Sequence, residues 1–305
     1  MNSQTIPYQT EKQVDANGLK INFDSFGDPS HPAMIMIMGL GTQMIHWDEN
    51  LCKILASQGF WVIRFDNRDI GKSTWLKNLP VPGLMGFLTN TWFGNKLNAP
   101  YLLNDMADDA LGLMDALHID KAHFVGASMG GMIAQCVALK ASERVISLTS
   151  IMSTTGDRSL PKAKMRVGMT LIRPMPKDID QSIEHRLNVW KMLHMDNFPF
   201  DLERITKLIR YSRERGFNPA GLSRQLAAIV DSPDRTEQLK NLMTPSLVIH
   251  GDQDPLVPVE SGYATAGALP NSKLKILKGM GHTLPEQLWP EITDGIVDLA
   301  RTASN

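Results

Sequence analysis

Ser128, Asp254 and His282 are of the types, and in the chain order, that nucleophilic chemistry through a serine requires. A serine hydroxyl is a poor nucleophile at neutral pH, so it needs an imidazole to take its proton and a carboxylate to orient that imidazole. Ser128 lies in Gly126-Ala127-Ser128-Met129-Gly130, between the apolar run His123-Phe124-Val125 and a stretch of helical character, Met132 to Leu139. The expected local structure is strand, sharp turn, helix. In so tight a turn the central residue is strained and side chains two positions to either side collide, so both flanks call for glycine. That geometry lifts the Ser128 hydroxyl from the sheet edge and sets the Met129 amide at the positive end of a helix, where a developing oxyanion is stabilised. The five-residue pattern also arises by chance, and its weight comes from its context and from the acid and histidine that follow.

Those two residues stand in turns after predicted strands. Ser246 to His250 reads as a strand, followed by Gly251-Asp252-Gln253-Asp254-Pro255; Lys273 to Leu277 reads as another, followed by Lys278-Gly279-Met280-Gly281-His282. Taken singly, Asp254 is a helix cap and His282 a loop residue. Taken together, three chemically matched residues after strands point to one crevice, because the ends of parallel strands share an edge. Asp252 and Asp254 both occupy the acid turn; Asp252 directly follows Gly251, whereas Asp254 lies further out, where the chain can swing its carboxylate toward the final loop.

The elements that must position these residues form a largely alternating series. Gln13 to Ala16 and Leu19 to Phe26 form a hairpin across Asn17-Gly18, a pair suited to positive φ. Ala33 to Met38 is apolar without alternation, as expected of a strand buried on both faces, and ends at Gly39-Leu40-Gly41. That glycine-rich turn either presents a second amide, that of Leu40, to the oxyanion or is a flexible connection. Ile45 to Gln58 reads as helix and Trp61 to Phe65 as strand, closed by Asp66-Asn67-Arg68-Asp69-Ile70-Gly71-Lys72-Ser73, in which Asp66 and Arg68 are expected to form a structural ion pair. Trp75 to Pro100 is a long apolar loop that lines a pocket or packs on the core. Tyr101 to Ile119 has helical spacing, with Asp105, Asp108, Asp109 and Asp115 on a solvated face. Val145 to Ile151 is the next strand.

The rhythm then breaks. From Thr155 to Leu242 the segments are helical, notably Gln181 to His194, Leu202 to Glu214 and Ala220 to Val230. The expected division is a core of residues 1–154 and 243–305 with a helical cap at 155–242. Met165, Met169, Met175, Met192 and Met195 of this region are ordinary core or a soft surface for apolar ligands, and His185 and His194 are surface or packing residues. Glu260 to Leu269 and Glu286 to Arg301 are the remaining helices.

Composition narrows the function classes. A chain of 305 residues with a formal net charge of -1 and scattered Lys and Arg has no basic stripe, so small molecules are expected as partners rather than nucleic acid. Met1 to Lys12 is polar, and no run approaches a membrane span, which favours a cytoplasmic location. Cys52 and Cys136 fall in predicted helices and read as packing thiols. Zinc spacings, a P-loop and a dinucleotide fingerprint are lacking, and no cofactor or metal is expected.

The elbow, the acid turn with Pro258 and the closing Gly281-His282 resemble the α/β-hydrolase superfamily, from about Asn17 to the last helix. The resemblance implies a mostly parallel eight-stranded α/β sheet flanked by helices, with Ser128 as nucleophile, His282 as general base and acid, Asp254 as orienter, and the amides of Leu40 and Met129 as oxyanion donors. Many members carry His-Gly where this chain has Met38-Gly39; Met-Gly together with Asp66 to Ser73 is more similar to the aclacinomycin methylesterase group. The implied activity is cofactor-free hydrolysis of small or medium apolar esters through an acyl-enzyme. Serine at the elbow speaks against the epoxide hydrolases and haloalkane dehalogenases of the superfamily, which use aspartate. Proline iminopeptidase and carbon-carbon bond hydrolases keep serine and stay open, as does a non-catalytic ligand receptor.

Overall fold

The computed structural model describes residues 6–83, 86–87, 89, 96–172, 176 and 178–304. Eight strands form one sheet: β1 (Tyr8–Ala16), β2 (Leu19–Phe26), β3 (Ala33–Ile37), β4 (Trp61–Phe65), β5 (Ala122–Ala127), β6 (Val145–Ile151), β7 (Ser246–Gly251) and β8 (Ser272–Leu277), in the order β1-β2-β4-β3-β5-β6-β7-β8. β2 runs antiparallel to both β1 and β4, and every other pairing is parallel. Asn17 and Gly18 take positive φ in the opening hairpin, as that turn demands.

The apolar run of β3 shows how the layers form. Ile35 and Ile37 face one core with Phe124, Leu113 and Ile133, while Met34, Met36 and Met38 face the other with Leu51, Leu55 and Ile292. Alternate residues of a strand point to opposite faces, so a strand covered on both sides has no polar face. Helices α1 (Glu49–Ser57) and α10 (Trp289–Ala303) cover one face; α2 (Leu103–Ala116) and α3 (Met129–Lys140) cover the other. Between β7 and β8 runs α9 (Glu260–Ala268).

Two expectations about helices change. The stretch from Ile45 is a 3-10 turn at Met44–His46, and α1 begins only after Asp48, whose side chain accepts the Asn50 amide at 2.8 Å as an N-cap. Asp109 in α2 is not solvated: it is 1% exposed and holds the Arg68 guanidinium through two bonds, 2.6 Å and 2.7 Å long. Arg68 therefore does not pair with Asp66. Charge spacing on a helix cannot reveal a partner 41 residues away.

After β6 the chain enters α4 (Met165–Ile172), α5 (Ile179–His194), α6 (Leu202–Arg215), α7 (Pro219–Asp231) and α8 (Thr236–Leu239), with no strand among the described residues before β7. Buried charge ties this insertion to the core. Asp66 receives Arg215, the last residue of α6, at 3.0 Å, and Asp69 receives Arg224 of α7 through bonds of 2.8 Å and 2.7 Å. All four side chains are at most 1% exposed. Each carboxylate is further satisfied, Asp66 by the Met44 and Lys72 amides and Asp69 by the Tyr101 hydroxyl and the Leu76 amide, which is what makes such burial tolerable. The described part of the loop from Trp75 to Pro100 packs on this assembly: Leu76 and Leu79 lie on the core, and the Leu97 and Ala99 amides bond Asp231. Leu84, Met85, Leu88, Trp92, Phe93 and Gly94 of that apolar loop, and Met175 of the insertion, lie outside the described residues.

Both cysteines are buried and free. No helix among the described residues is long and apolar enough to cross a membrane, and no group of three or more His, Cys, Asp or Glu among them is arranged to hold a metal.

His123 in β5 is 1% exposed, bonded through Nδ1 to the Ser147 hydroxyl at 2.8 Å, and burial lowers its pKa from 6.5 to about 4. Unfolding frees it to take a proton, so its contribution is complete above about pH 6.5 and is lost as pH falls toward about 4. Denaturant titrations across this window should show stability rising with pH. The His123→Gln variant should lose up to about 3 kcal/mol of that rise; an unchanged slope would show that His123 is not kept neutral by the fold.

Candidate active site

The strand order reverses about β3, whose successor β4 lies on one side and β5 on the other, so loops after β3 and β5 open onto a crevice between them. Ser128 stands in the second of these loops at φ 55° and ψ -121°, a backbone that a non-glycine residue holds only under constraint. The constraint is close contact between backbone segments. A Cβ on Gly126 would lie 2.2 Å from the Gly130 carbonyl oxygen, and one on Gly130 would lie 2.0 Å from that of Ile37. The Ser128 amide donates to the Ile151 carbonyl at 2.9 Å and the Ser128 carbonyl accepts the Ser153 hydroxyl at 2.8 Å, which fixes the turn to β6 and its following loop.

The three chemically matched side chains meet. His282 Nε2 is 2.9 Å from Ser128 Oγ, and His282 Nδ1 is 2.7 Å from Asp254 Oδ2. An ionised carboxylate only accepts, so the imidazole proton sits on Nδ1 and Nε2 is free to accept from the serine. The other oxygen of Asp254 accepts the Leu256 and Val257 amides at 2.9 Å and 2.8 Å, which fixes the carboxylate in its turn. His250, at the end of β7, donates from Nε2 to the Val257 carbonyl at 2.8 Å and lies 3.7 Å from Asp254; burial lowers its pKa and keeps it neutral. Asp252 does something else: it accepts the Gly279 amide at 2.6 Å and so braces the turn that precedes His282.

Of the two residues expected to offer amides to an oxyanion, Met129 directly follows Ser128 and Leu40 lines the same cavity as Ser128. Met129 opens α3, where the first amides lack an intrahelical carbonyl; its side chain is fully buried in the core. The Gly39-Leu40 turn presses on the serine, for a Cβ on Gly39 would lie 3.0 Å from Ser128 Cβ and 3.5 Å from Oγ. Sequence reasoning missed the residues that hold this turn. Asn67 donates to the Met38 carbonyl at 2.9 Å, and Gln225 of α7 accepts the Gly41 amide at 3.0 Å. No local pattern marks Gln225, which lies 184 residues from its partner.

The insertion also grips the histidine loop. The His282 amide donates to the Leu193 carbonyl at 2.7 Å, and His194 Nδ1 accepts the Thr283 hydroxyl at 2.9 Å while its Nε2 donates to the Phe198 carbonyl at 3.2 Å. His194 is thus a buried brace of that loop. A cavity of about 470 Å³ opens over Ser128 and His282 between the core loops and one face of α5. Its apolar wall includes Ile45, Leu51, Val189, Trp190, Leu193 and Leu222. Among the described residues the methionines in that wall are Met38 and Met152, not Met192 or Met195.

The sheet order, the elbow and the matched residues 32–287 define the class: the chain belongs to the alpha/beta hydrolase fold family. Among curated proteins it is similar to rhodomycin D methylesterase DauP of Streptomyces sp. (strain C5), 26% identical over 92% of this chain and 95% of that one. It is also similar to a 2-hydroxy-6-oxononadienedioate/2-hydroxy-6-oxononatrienedioate hydrolase of Burkholderia vietnamiensis, 27% identical over 88% and 86% of the two chains. The meta-cleavage product hydrolase CumD of Pseudomonas fluorescens IP01 shares the fold with a TM-score of 0.73 at 22% identity, covering 96% of this chain and 98% of that one.

Substituting the two turn acids separately should divide their roles. Asp254→Asn is expected to cut kcat of any hydrolysis through Ser128 by about 10³- to 10⁴-fold, since an amide favours the wrong imidazole tautomer. Asp252→Asn should instead lower stability by about 1 kcal/mol with a far smaller loss of rate. A severe rate loss on Asp252 alone would move the orienting role to that residue.

Proposed function

We propose that this protein is a carboxylic ester hydrolase that works through a serine acyl-enzyme and needs no cofactor. The observation that supports this most directly is the continuous hydrogen-bond chain from Ser128 through His282 to Asp254, at 2.9 Å and 2.7 Å, beside a cavity of about 470 Å³. In this reading Ser128 Oγ attacks the ester carbonyl while His282 Nε2 takes its proton. Asp254 holds the imidazole and stabilises the imidazolium. The carbonyl oxygen gathers charge facing the amides of Leu40 and Met129. His282 then returns the proton to the departing alcohol, and water, deprotonated by the same imidazole, releases the acid. Residues 155–242 act as a cap on a core of residues 1–154 and 243–305, with α5 supplying one wall of the cavity.

Similarity to a protein named for methyl-ester cleavage favours esters as the substrates. The same constellation serves a second reading, carbon-carbon bond hydrolysis, which the similarity to the Burkholderia vietnamiensis hydrolase favours. A panel of methyl and aryl esters beside vinylogous diketones separates the two. We expect the esters to be turned over faster, and a preference for the diketones would replace the first reading by the second. Ser128→Ala should lower ester turnover by at least about 10⁴-fold and abolish covalent labelling by a fluorophosphonate while leaving the far-UV spectrum intact. Labelling that persisted in the folded variant would place the nucleophile elsewhere.

A further inference from the structure

Two arginines stand in the cavity wall, and they are treated differently. Arg204 of α6 holds Asp48 at 2.7 Å and lies 3.7 Å from Asp201, so both acids of that region are committed to it. Glu286, the remaining acid of the wall, is exposed on the segment that follows His282. Arg186 of α5 has no such partner: among the described residues no carboxylate neutralises it, and the charge that acts on it is another cation, Arg213. Burial lowers its pKa. Arg186 is half-buried, and a guanidinium partly withdrawn from water without a counter-charge is destabilising; local violations of that kind concentrate at functional sites.

Its position along the helix gives the violation a purpose. His185, Arg186, Val189, Trp190, Leu193 and His194 line the cavity as one face of α5, repeating every three or four residues. The His194 end is bonded to the loop of His282. Arg186 lies two turns back, roughly 12 Å along the axis, with Val189, Trp190 and Leu193 between. The wall therefore runs from the reacting serine, across an apolar stretch, to a lone cation. His46, whose ring stacks on Trp190 at 5.5 Å, feels that cation: burial, and after it the charge of Arg186, pushes its pKa down to about 3. A neutral His46 adds no second positive charge beside Arg186.

We infer that Arg186 is the anion-binding residue of the cavity, and that the substrate is an ester carrying a carboxylate separated from the scissile carbonyl by an apolar spacer of roughly 10 Å. This rests on the ester-hydrolase reading above for its chemistry, but the anion site is a statement about binding and is tested separately. A carboxylate at Arg186 would be held by a charge-assisted, two-pronged contact, and its spacer would lie along Trp190 and Leu193.

The test compares mono-4-nitrophenyl suberate with 4-nitrophenyl octanoate, which match in length and differ in the terminal charge. The wild-type protein should favour the suberate ester in kcat/KM by about tenfold or more, and Arg186→Gln should reduce that preference by about ten- to a hundredfold, with the loss in KM. Arg186→Lys should retain part of the preference, since it keeps the charge and loses the fork. Binding is read without turnover in the Ser128→Ala variant: suberate should raise its Tm in low salt, and adding Arg186→Gln should remove the shift. Should Arg186→Gln fail to fold, Arg186→Met, which fills the same wall with an apolar chain, takes its place in both assays. Equal preference for the two esters before and after substitution would overturn the anion site and leave the esterase reading standing. Suberate binding through Arg186 with neither ester hydrolysed would overturn the esterase reading and leave the anion site standing.

Discussion

The site depends on a contact between backbones. Gly126 rests on Gly130, and Gly130 rests on the carbonyl of Ile37, so β3, β5 and the start of α3 approach more closely than any side chain would allow. That approach holds Ser128 at positive φ, a conformation that costs about 1–3 kcal/mol for a residue with a side chain. The parallel strands on either side, buried on both faces, supply the rigidity that keeps it there. Because the serine is fixed by main chain, its hydroxyl needs no side-chain clamp and is left to face the imidazole.

The second fixed relation is electrostatic. The turn after β4 buries Asp66 and Asp69, and the insertion provides Arg215 and Arg224 to meet them. Each pair is surrounded by amides and hydroxyls, so removing one partner would strand a charge in a dry place, a change typically worth about 3–5 kcal/mol. Gln225, next to Arg224, bonds both the Arg68 carbonyl and the Gly41 amide. The same helix that fastens the insertion thus fixes the loop beside the serine.

Much of this was legible because it is local or periodic. The eight strands, the glycine-flanked turn, and the places of Ser128, Asp254 and His282 after β5, β7 and β8 follow from apolar runs and turn residues. What was not legible lies in side chains that find partners far along the chain. Asp109 has the spacing of a solvated helix face, yet it serves Arg68; Asp66 stands two residues from Arg68, yet it serves Arg215. The start of α1 was readable, since Asp48 is a capping residue, but the apolar Ile45 before it extends the helical pattern past the true boundary. Arg186 looks like any charge on a surface helix until the cavity on its other side is known.

The bond between His282 and Ser128 closes 154 residues of chain, and the amide of that same histidine is held by Leu193, from the insertion. Serine, histidine and brace thus come from three separate regions of the polypeptide. Contacts so far apart in sequence cost more chain entropy to close than local ones. A partly folded chain with its first strands paired would carry the serine without its histidine partner. On the ester-hydrolase reading proposed above, reactivity at Ser128 belongs to the finished molecule, and its return after dilution from denaturant would time the docking of the insertion on the histidine loop rather than the formation of the sheet.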